Sequence, residues 1–220
     1  RGEHRFNEAF LKLFEQEVKK LFPLRYRDNC IVPYFCHEYL DHLEYVGMGA
    51  IQLDYSLTPD KNLNLTFNGP WLDAILWEVP LLATISECYF KTCFRDWPKY
   101  GRGQAKLAHS KGQLLETNSI SFADFGTRRR RNYATHNKVV RLLKGYVGFT
   151  GTSNVWLSLL HNVNSVGTIA HEWYMAHSIG VSHIEANALS MDARRRVWGD
   201  EYSITLTHTN TTDSILEAFT

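Results

Sequence analysis

A chain of 220 residues is one large domain or two small ones, long enough to bury a substantial core. Hydrophobic residues make up 44% and charged residues 21%, an ordinary globular composition. A formal net charge of +1 argues against a general nucleic-acid or membrane-surface binder, because acids balance the bases.

Taken in order, the first element is a helix over Phe6–Phe22. Phe6, Phe10, Phe14, Val18 and Leu21 recur at helical spacing, and Pro23 ends the run. The stripe reads as core-facing rather than partner-binding. A second helical patch runs around Tyr34–Leu43, with His37 and His42 expected at the surface. Asn62–Phe67 alternates as a half-buried strand that Gly69-Pro70 closes, and Pro70 suits a helix start. Trp71–Phe94 is the most apolar stretch, and Pro80 is expected to break or kink its helix. Glu78, alone among apolar neighbours there, reads as a solvent-edge residue or, the favoured option, a buried group with a partner.

Pro98–Gly103 marks the best domain boundary, followed by a polar helix over Gln104–Glu116. The rhythm then changes. Short strands at Ser119–Phe125, Tyr146–Thr150, Ser165–Ala170 and Ser203–Thr207 alternate with helical patches at Asn132–Lys144, Asn154–His161, Ile184–Trp198 and Thr212–Phe219. Repeated β then α means a parallel sheet. The fold expected is α/β: residues 1–118 an N-terminal α+β domain, mostly helical with a short strand, and residues 119–220 the first βα units of an irregular β/α barrel. About 250 residues make a full barrel, so these units are either an arc completed by further chain or a small open α/β sheet.

The cysteines, Cys30, Cys36, Cys88 and Cys93, lack metal-site spacing and read as reduced thiols, with a disulfide framework the lesser option. Apolar runs fall short of membrane-spanning length. The chain opens on Arg1-Gly2-Glu3, with neither methionine nor a signal-type apolar core. A soluble, cytoplasmic protein is expected, with the nucleus as a further location and an excerpt of a longer chain as an option.

Function concentrates between Ser121 and Trp173. Phe125-Gly126-Thr127-Arg128-Arg129-Arg130-Arg131, Gly151-Thr152-Ser153-Asn154-Val155 and Gly167-Thr168-Ile169-Ala170-His171-Glu172-Trp173 each place small and polar residues after a short apolar run. That is the pattern of functional βα loops. Guanidinium groups and small-residue amides suit phosphate oxyanions, and a histidine can take or pass a phosphoryl group. Four adjacent arginines also fit a localisation signal or a basic interaction module, and they cannot all face one way. His171-Glu172 is not a zinc motif, since Met175 stands where the second histidine would be.

These three motifs, in this order, resemble those of the nicotinate phosphoribosyltransferase family. So do Gly69-Pro70-Trp71-Leu72-x-x-Ile75-Leu76-Trp77-Glu78-Val79-Pro80-Leu81-Leu82 and Ile85-Ser86-Glu87-x-Tyr89-Phe90. The resemblance implies an α+β domain packed on a β/α barrel, working as a homodimer. It implies that phosphoribosyl pyrophosphate and nicotinate give nicotinate mononucleotide, in NAD salvage. ATP would be coupled through a phosphohistidine, and Mg2+ would accompany the phosphorylated substrates. On this basis His171 is the phosphorylated residue, with Glu172 orienting it. Arg128 faces the leaving group together with Arg129 or Arg130, and Thr152, Ser153, Asn154, Gly167 and Thr168 line the site. One departure stands out: the family usually reads Leu-Thr-Asp-Thr where this chain reads Leu206-Thr207-His208-Thr209. A non-catalytic or truncated homologue acting as an assembly subunit is the alternative.

Overall fold

The computed structural model describes residues 5–21, 35–46, 51–94, 102–199, 204–207 and 209–218. Contacts divide the chain into two compact units, Arg1–Ser165 and Val166–Thr220.

The first unit begins with helix α1, Glu8–Val18, opened by the Asn7 side chain, which accepts from the Phe10 amide at 2.9 Å. Its apolar stripe is the core stripe expected from spacing: Phe10, Phe14 and Val18 are buried. Helix α2, His37–Tyr45, follows; Tyr34 and Pro23 lie outside the described residues. His37 is exposed, whereas His42 is half-buried with its Nε2 3.3 Å from Asp73 Oδ1, so the surface expectation fails for His42.

Strands β1, Gln52–Leu57, and β2, Leu63–Asn68, pair antiparallel, with Leu53 opposite Phe67, Tyr55 opposite Leu65 and Leu57 opposite Leu63. Only β2 was expected. The alternation Leu53, Tyr55, Leu57 carries the same period-2 signal, and the two strands turn through Thr58–Asn62, where Lys61 takes φ +59°. The inward residues of this hairpin pack with Phe10, Phe14, Val46, Ile51, Trp77, Leu81 and Cys88 as one core. Phe14 meets Tyr55 edge-on at 5.1 Å.

Helix α3, Trp71–Thr92, follows Pro70 directly and runs through Pro80 without a break, correcting the expected interruption. Burial of Trp77, Leu81 and Cys88 on one face offsets the hydrogen bond that proline cannot donate. Helix α4 spans Arg102–Thr117. Of the expected boundary Pro98–Gly103, residues 98–101 lie outside the described residues.

Next comes a βαβ arrangement. Strand β3, Phe122–Asp124, leads into a one-turn 3-10 helix, Thr127–Arg129, and then into α5, Tyr133–Leu143, capped by Asn132. Strand β4, Phe149–Thr152, pairs parallel with β3, placing Asp124 beside Thr152. Helix α6, Val155–His161, is capped by Asn154. Thr152 also bridges Ser165 in parallel. The expected strand Ser165–Ala170 is reduced to that one bridge. Ile204–Thr207 forms no strand either, and Ser203 lies outside the described residues. A strand is a shared structure, and strand-type residues without a paired neighbour stay irregular.

In the second unit, α7 (His171–His177), α8 (His183–Trp198) and α9 (Thr212–Glu217) pack in sequence around Tyr174, Ala186 and Ile215. The architecture is thus mixed α/β, with helices dominant and two small sheets among the described residues. Among the described residues no helix is long and apolar enough to cross a membrane.

Candidate functional site

The site in the first unit is built where β3 and β4 end side by side. Asp124, the last residue of β3, turns its carboxylate into the loop that follows. Its Oδ1 accepts from the Gly126 amide at 3.1 Å, while Oδ2 accepts from Thr152 Oγ1 at 2.7 Å and lies 2.7 Å from His136 Nε2. His136 is 4% exposed and Thr152 0%. Burial pushes the Asp124 carboxyl upward, but the hydrogen bonds from His136, Thr152 and Gly126 outweigh it and hold the group below its usual 3.8. An ionised carboxylate only accepts, so His136 donates through Nε2.

The loop is pinned from the other strand as well. Asn154 Nδ2 donates to Thr127 Oγ1 at 3.0 Å, its Oδ1 caps α6 through the Leu157 amide at 2.9 Å, and the Ser153 amide donates to the Asp124 carbonyl at 2.8 Å. Helix α3 closes the third side. Ser86 Oγ donates to the Arg130 carbonyl at 2.7 Å, and Glu87 accepts from the Tyr133 amide at 3.0 Å.

Held this way, the four arginines point apart. Arg128 Nη1 donates to Glu78 Oε1 at 2.7 Å, the partner expected for that acid, although Glu78 is half-buried rather than buried. Arg129 is exposed. Arg130 stacks at 5.4 Å over Tyr133, and burial pushes its guanidinium below the usual arginine value. Arg131 lies 4.0 Å over the Phe90 ring. Arg128 therefore combines partial exposure with a fixed direction, and Phe125 beside it is half exposed. Thr152 is sealed under the loop with its hydroxyl committed to Asp124; Ser153 and Asn154 are half-buried at the strand end.

Two residues of this site escaped sequence reasoning, Asp124 and His136. They lie 12 residues apart, and no local spacing rule joins a strand end to the first turn of the next helix.

In the second unit His171 is the first residue of α7, and its Nδ1 sits 3.0 Å from Thr209 Oγ1. Glu172 is half-buried in the same turn; Gly167 and Thr168 are exposed on the approach. Trp173 Nε1 donates to the Ser190 carbonyl at 3.0 Å, and its ring packs 4.6 Å from His177. His177 is thus a packing residue and His183 is exposed. His208 lies outside the described residues. Among the described residues no three His, Cys, Asp or Glu side chains gather to hold a metal ion.

Residues 120–220 match the nicotinate phosphoribosyltransferase (NAPRTase) family model. A nicotinate phosphoribosyltransferase from Methanococcoides burtonii is 34% identical over 83% of this chain and 48% of its own length. One from Chromohalobacter salexigens is 32% identical over 100% of this chain and 58% of its own. The crystal structure of nicotinate phosphoribosyltransferase from Porphyromonas gingivalis matches with a TM-score of 0.81 at 28% identity, over 98% of this chain and 57% of that one. That from Vibrio cholerae matches at 0.80 and 25%, over 100% and 55%. The chain spans about half the length of the curated relatives it matches.

Proposed function

This chain belongs to the nicotinate phosphoribosyltransferase family, and on that premise we propose that the full-length protein transfers the 5-phosphoribosyl group of phosphoribosyl pyrophosphate to nicotinate. The products are nicotinate mononucleotide and diphosphate, in the biosynthesis of NAD. The observation that carries the reading is Arg128, held at the end of a parallel strand by Glu78 with its guanidinium still partly open.

The chemistry asks for such a group. As the ribose C1–oxygen bond breaks, positive charge builds on the sugar and negative charge on the departing diphosphate. The nicotinate ring nitrogen then supplies the electron pair for the new C1–N bond. A fixed cation facing the diphosphate stabilises charge that exists only as the bond breaks. Arg128 spends one N–H on Glu78 and keeps others for oxyanions. Arg129 is the second cation this reading assigns to the diphosphate, while Arg130 braces the loop through Tyr133.

In the same reading ATP phosphorylates His171: a ring nitrogen attacks the γ-phosphorus, the N–P bond forms and ADP leaves. Thr209 holds the ring through Nδ1 and so fixes its orientation. Asp124 is already engaged by His136 and Thr152, and no other resident cluster presents itself among the described residues. In this reading magnesium enters with the phosphate groups of the substrates, as hard cations commonly do. The reading includes a cytoplasmic homodimer.

A second reading, a non-catalytic assembly subunit, is favoured by one observation: the parallel sheet holds two strands among the described residues, leaving edges for further chain to pair. One experiment separates the two. Full-length protein incubated with magnesium and ATP should gain an acid-labile phosphate, read by mass, that His171→Ala abolishes. Given nicotinate and phosphoribosyl pyrophosphate, the same preparation should release nicotinate mononucleotide. A folded full-length protein that forms neither product supports the assembly subunit and sinks the enzyme.

A further inference from the structure

We propose that His136 is a positioning residue, which acts through Asp124 to set where the Gly126–Arg128 turn stands. The inference rests on Arg128 being the group that meets the diphosphate.

Four pieces of chain converge on the Asp124 carboxylate: its own strand β3, the loop at Gly126, strand β4 at Thr152 and helix α5 at His136. Two of the three donors are side chains sealed from solvent. In a site this dry a hydrogen bond to a charged group is short and directional, so it transmits position well. The loop in turn lies close enough that glycine is required. A Cβ at Gly126 would stand 2.9 Å from Asp124 Oδ1 and 3.3 Å from His136 Nε2. Thr127, next along, is tied to Asn154, and Arg128 follows. The path from imidazole to guanidinium therefore runs through one carboxylate, one amide and a single turn of 3-10 helix.

Packing alone does not account for a histidine here. Its Nδ1 is buried with no hydrogen-bond partner among the described residues. A buried unpaired polar atom is a cost that an apolar side chain of similar size would avoid. What the histidine supplies is the Nε2–H aimed at Asp124.

The test measures affinity for inorganic diphosphate by titration calorimetry on the full-length protein, beside a thermal melt. His136→Leu should weaken diphosphate about 10-fold, as a loop moved by part of an ångström does. In His136→Gln the amide nitrogen reaches the place of Nε2, and affinity should return to within about 3-fold of the parent. Gly126→Ala removes no polar group yet pushes the loop off the carboxylate, and should weaken diphosphate about 10-fold too. Val140→Ala, a buried position on the same helix α5, should lower the melting temperature and leave affinity unchanged.

Arg128→Ala separates this inference from the reading beneath it. If Arg128→Ala loses affinity while His136→Leu and Gly126→Ala keep it, the positioning role is overturned and the anion site stands. If Arg128→Ala binds diphosphate like the parent, the anion reading itself falls. Should His136→Leu fail to fold, Gly126→Ala and His136→Gln decide alone. A His136→Gln protein that folds and binds no better than Gly126→Ala overturns the proposal. So does an affinity that merely follows the melting temperature across all variants, Val140→Ala included.

Discussion

Arg128 and Glu78 meet at 2.7 Å although 50 residues separate them in sequence, and the pair joins the arginine turn to the middle of helix α3. Both side chains are about two-fifths to one-third exposed, 41% and 34%, so the pair contributes little to stability and much to direction. Glu78→Ala should change unfolding free energy by less than about 1 kcal/mol. On the proposed reaction it should raise KM for phosphoribosyl pyrophosphate about 3- to 10-fold, because a wandering guanidinium must be ordered on binding. Arg128→Ala should lower kcat/KM by roughly 100-fold or more, the cost of losing one fixed donor to developing charge. Steady-state kinetics on full-length protein check both.

Asp124 yields a pH-dependent prediction. Its folded-state pKa lies below 3.8, so it contributes stability at pH values above 3.8 that is lost as the pH falls through the folded value. Asp124→Asn should therefore destabilise the protein by about 2–3 kcal/mol at neutral pH, where it strands the His136 donor beside an uncharged amide. The gap between the two proteins should narrow as the pH drops below about 4. Urea unfolding at pH 7 and at pH 3 measures it, and a gap that widens in acid would show the sign to be wrong.

Gly148 precedes β4 where the two parallel strands approach, and a Cβ there would stand 2.6 Å from the Ile120 carbonyl oxygen. That neighbour is backbone and cannot swing away. Gly148→Ala should cost about 2–4 kcal/mol. At Gly103 in α4 nothing lies within 4 Å of an added Cβ, and alanine there should hold stability or raise it by about 0.5 kcal/mol. Melting temperatures of the two variants should move in opposite directions or, at the least, very unequally.

Cysteine chemistry should divide by burial. Cys88 lies in the core under α1, and burial pushes its thiol up to about 12, so the thiolate is scarce at any working pH. Cys36 is exposed at the start of α2. Iodoacetamide at pH 8 should modify Cys36 in native protein and reach Cys88 only after urea is added, which peptide mapping by mass would resolve. Native labelling of Cys88 would mean that the α1–α3 core opens readily.

Much of the fold is legible in the sequence. Helices α1 and α3 follow apolar spacing, α4 stands where a polar helix is read, and α5, α6, α8 and α9 stand at the helical patches; the caps Asn7, Asn132, Asn154, Ser182 and Thr211 are added by the structure. The loops that carry Arg128 and Asn154 stand where strand-to-helix changes predicted them. The failures share a cause. Residues 166–170 look like a strand, but pairing depends on a partner that lies elsewhere in the chain. Pro80 looks like a break, but burial along α3 carries the helix through it.

The motifs, their order and most helices are legible in the chain itself, because side-chain periodicity acts within three or four residues. Which arginine an acid holds, and which histidine stands behind the loop, depends on tertiary packing. Asp124 meets His136 across 12 residues, Thr152 across 28, and Arg128 meets Glu78 across 50. Contacts at such separations exist only after β3, β4, α3 and α5 have packed, and packing is a property of the whole unit rather than of any stretch within it.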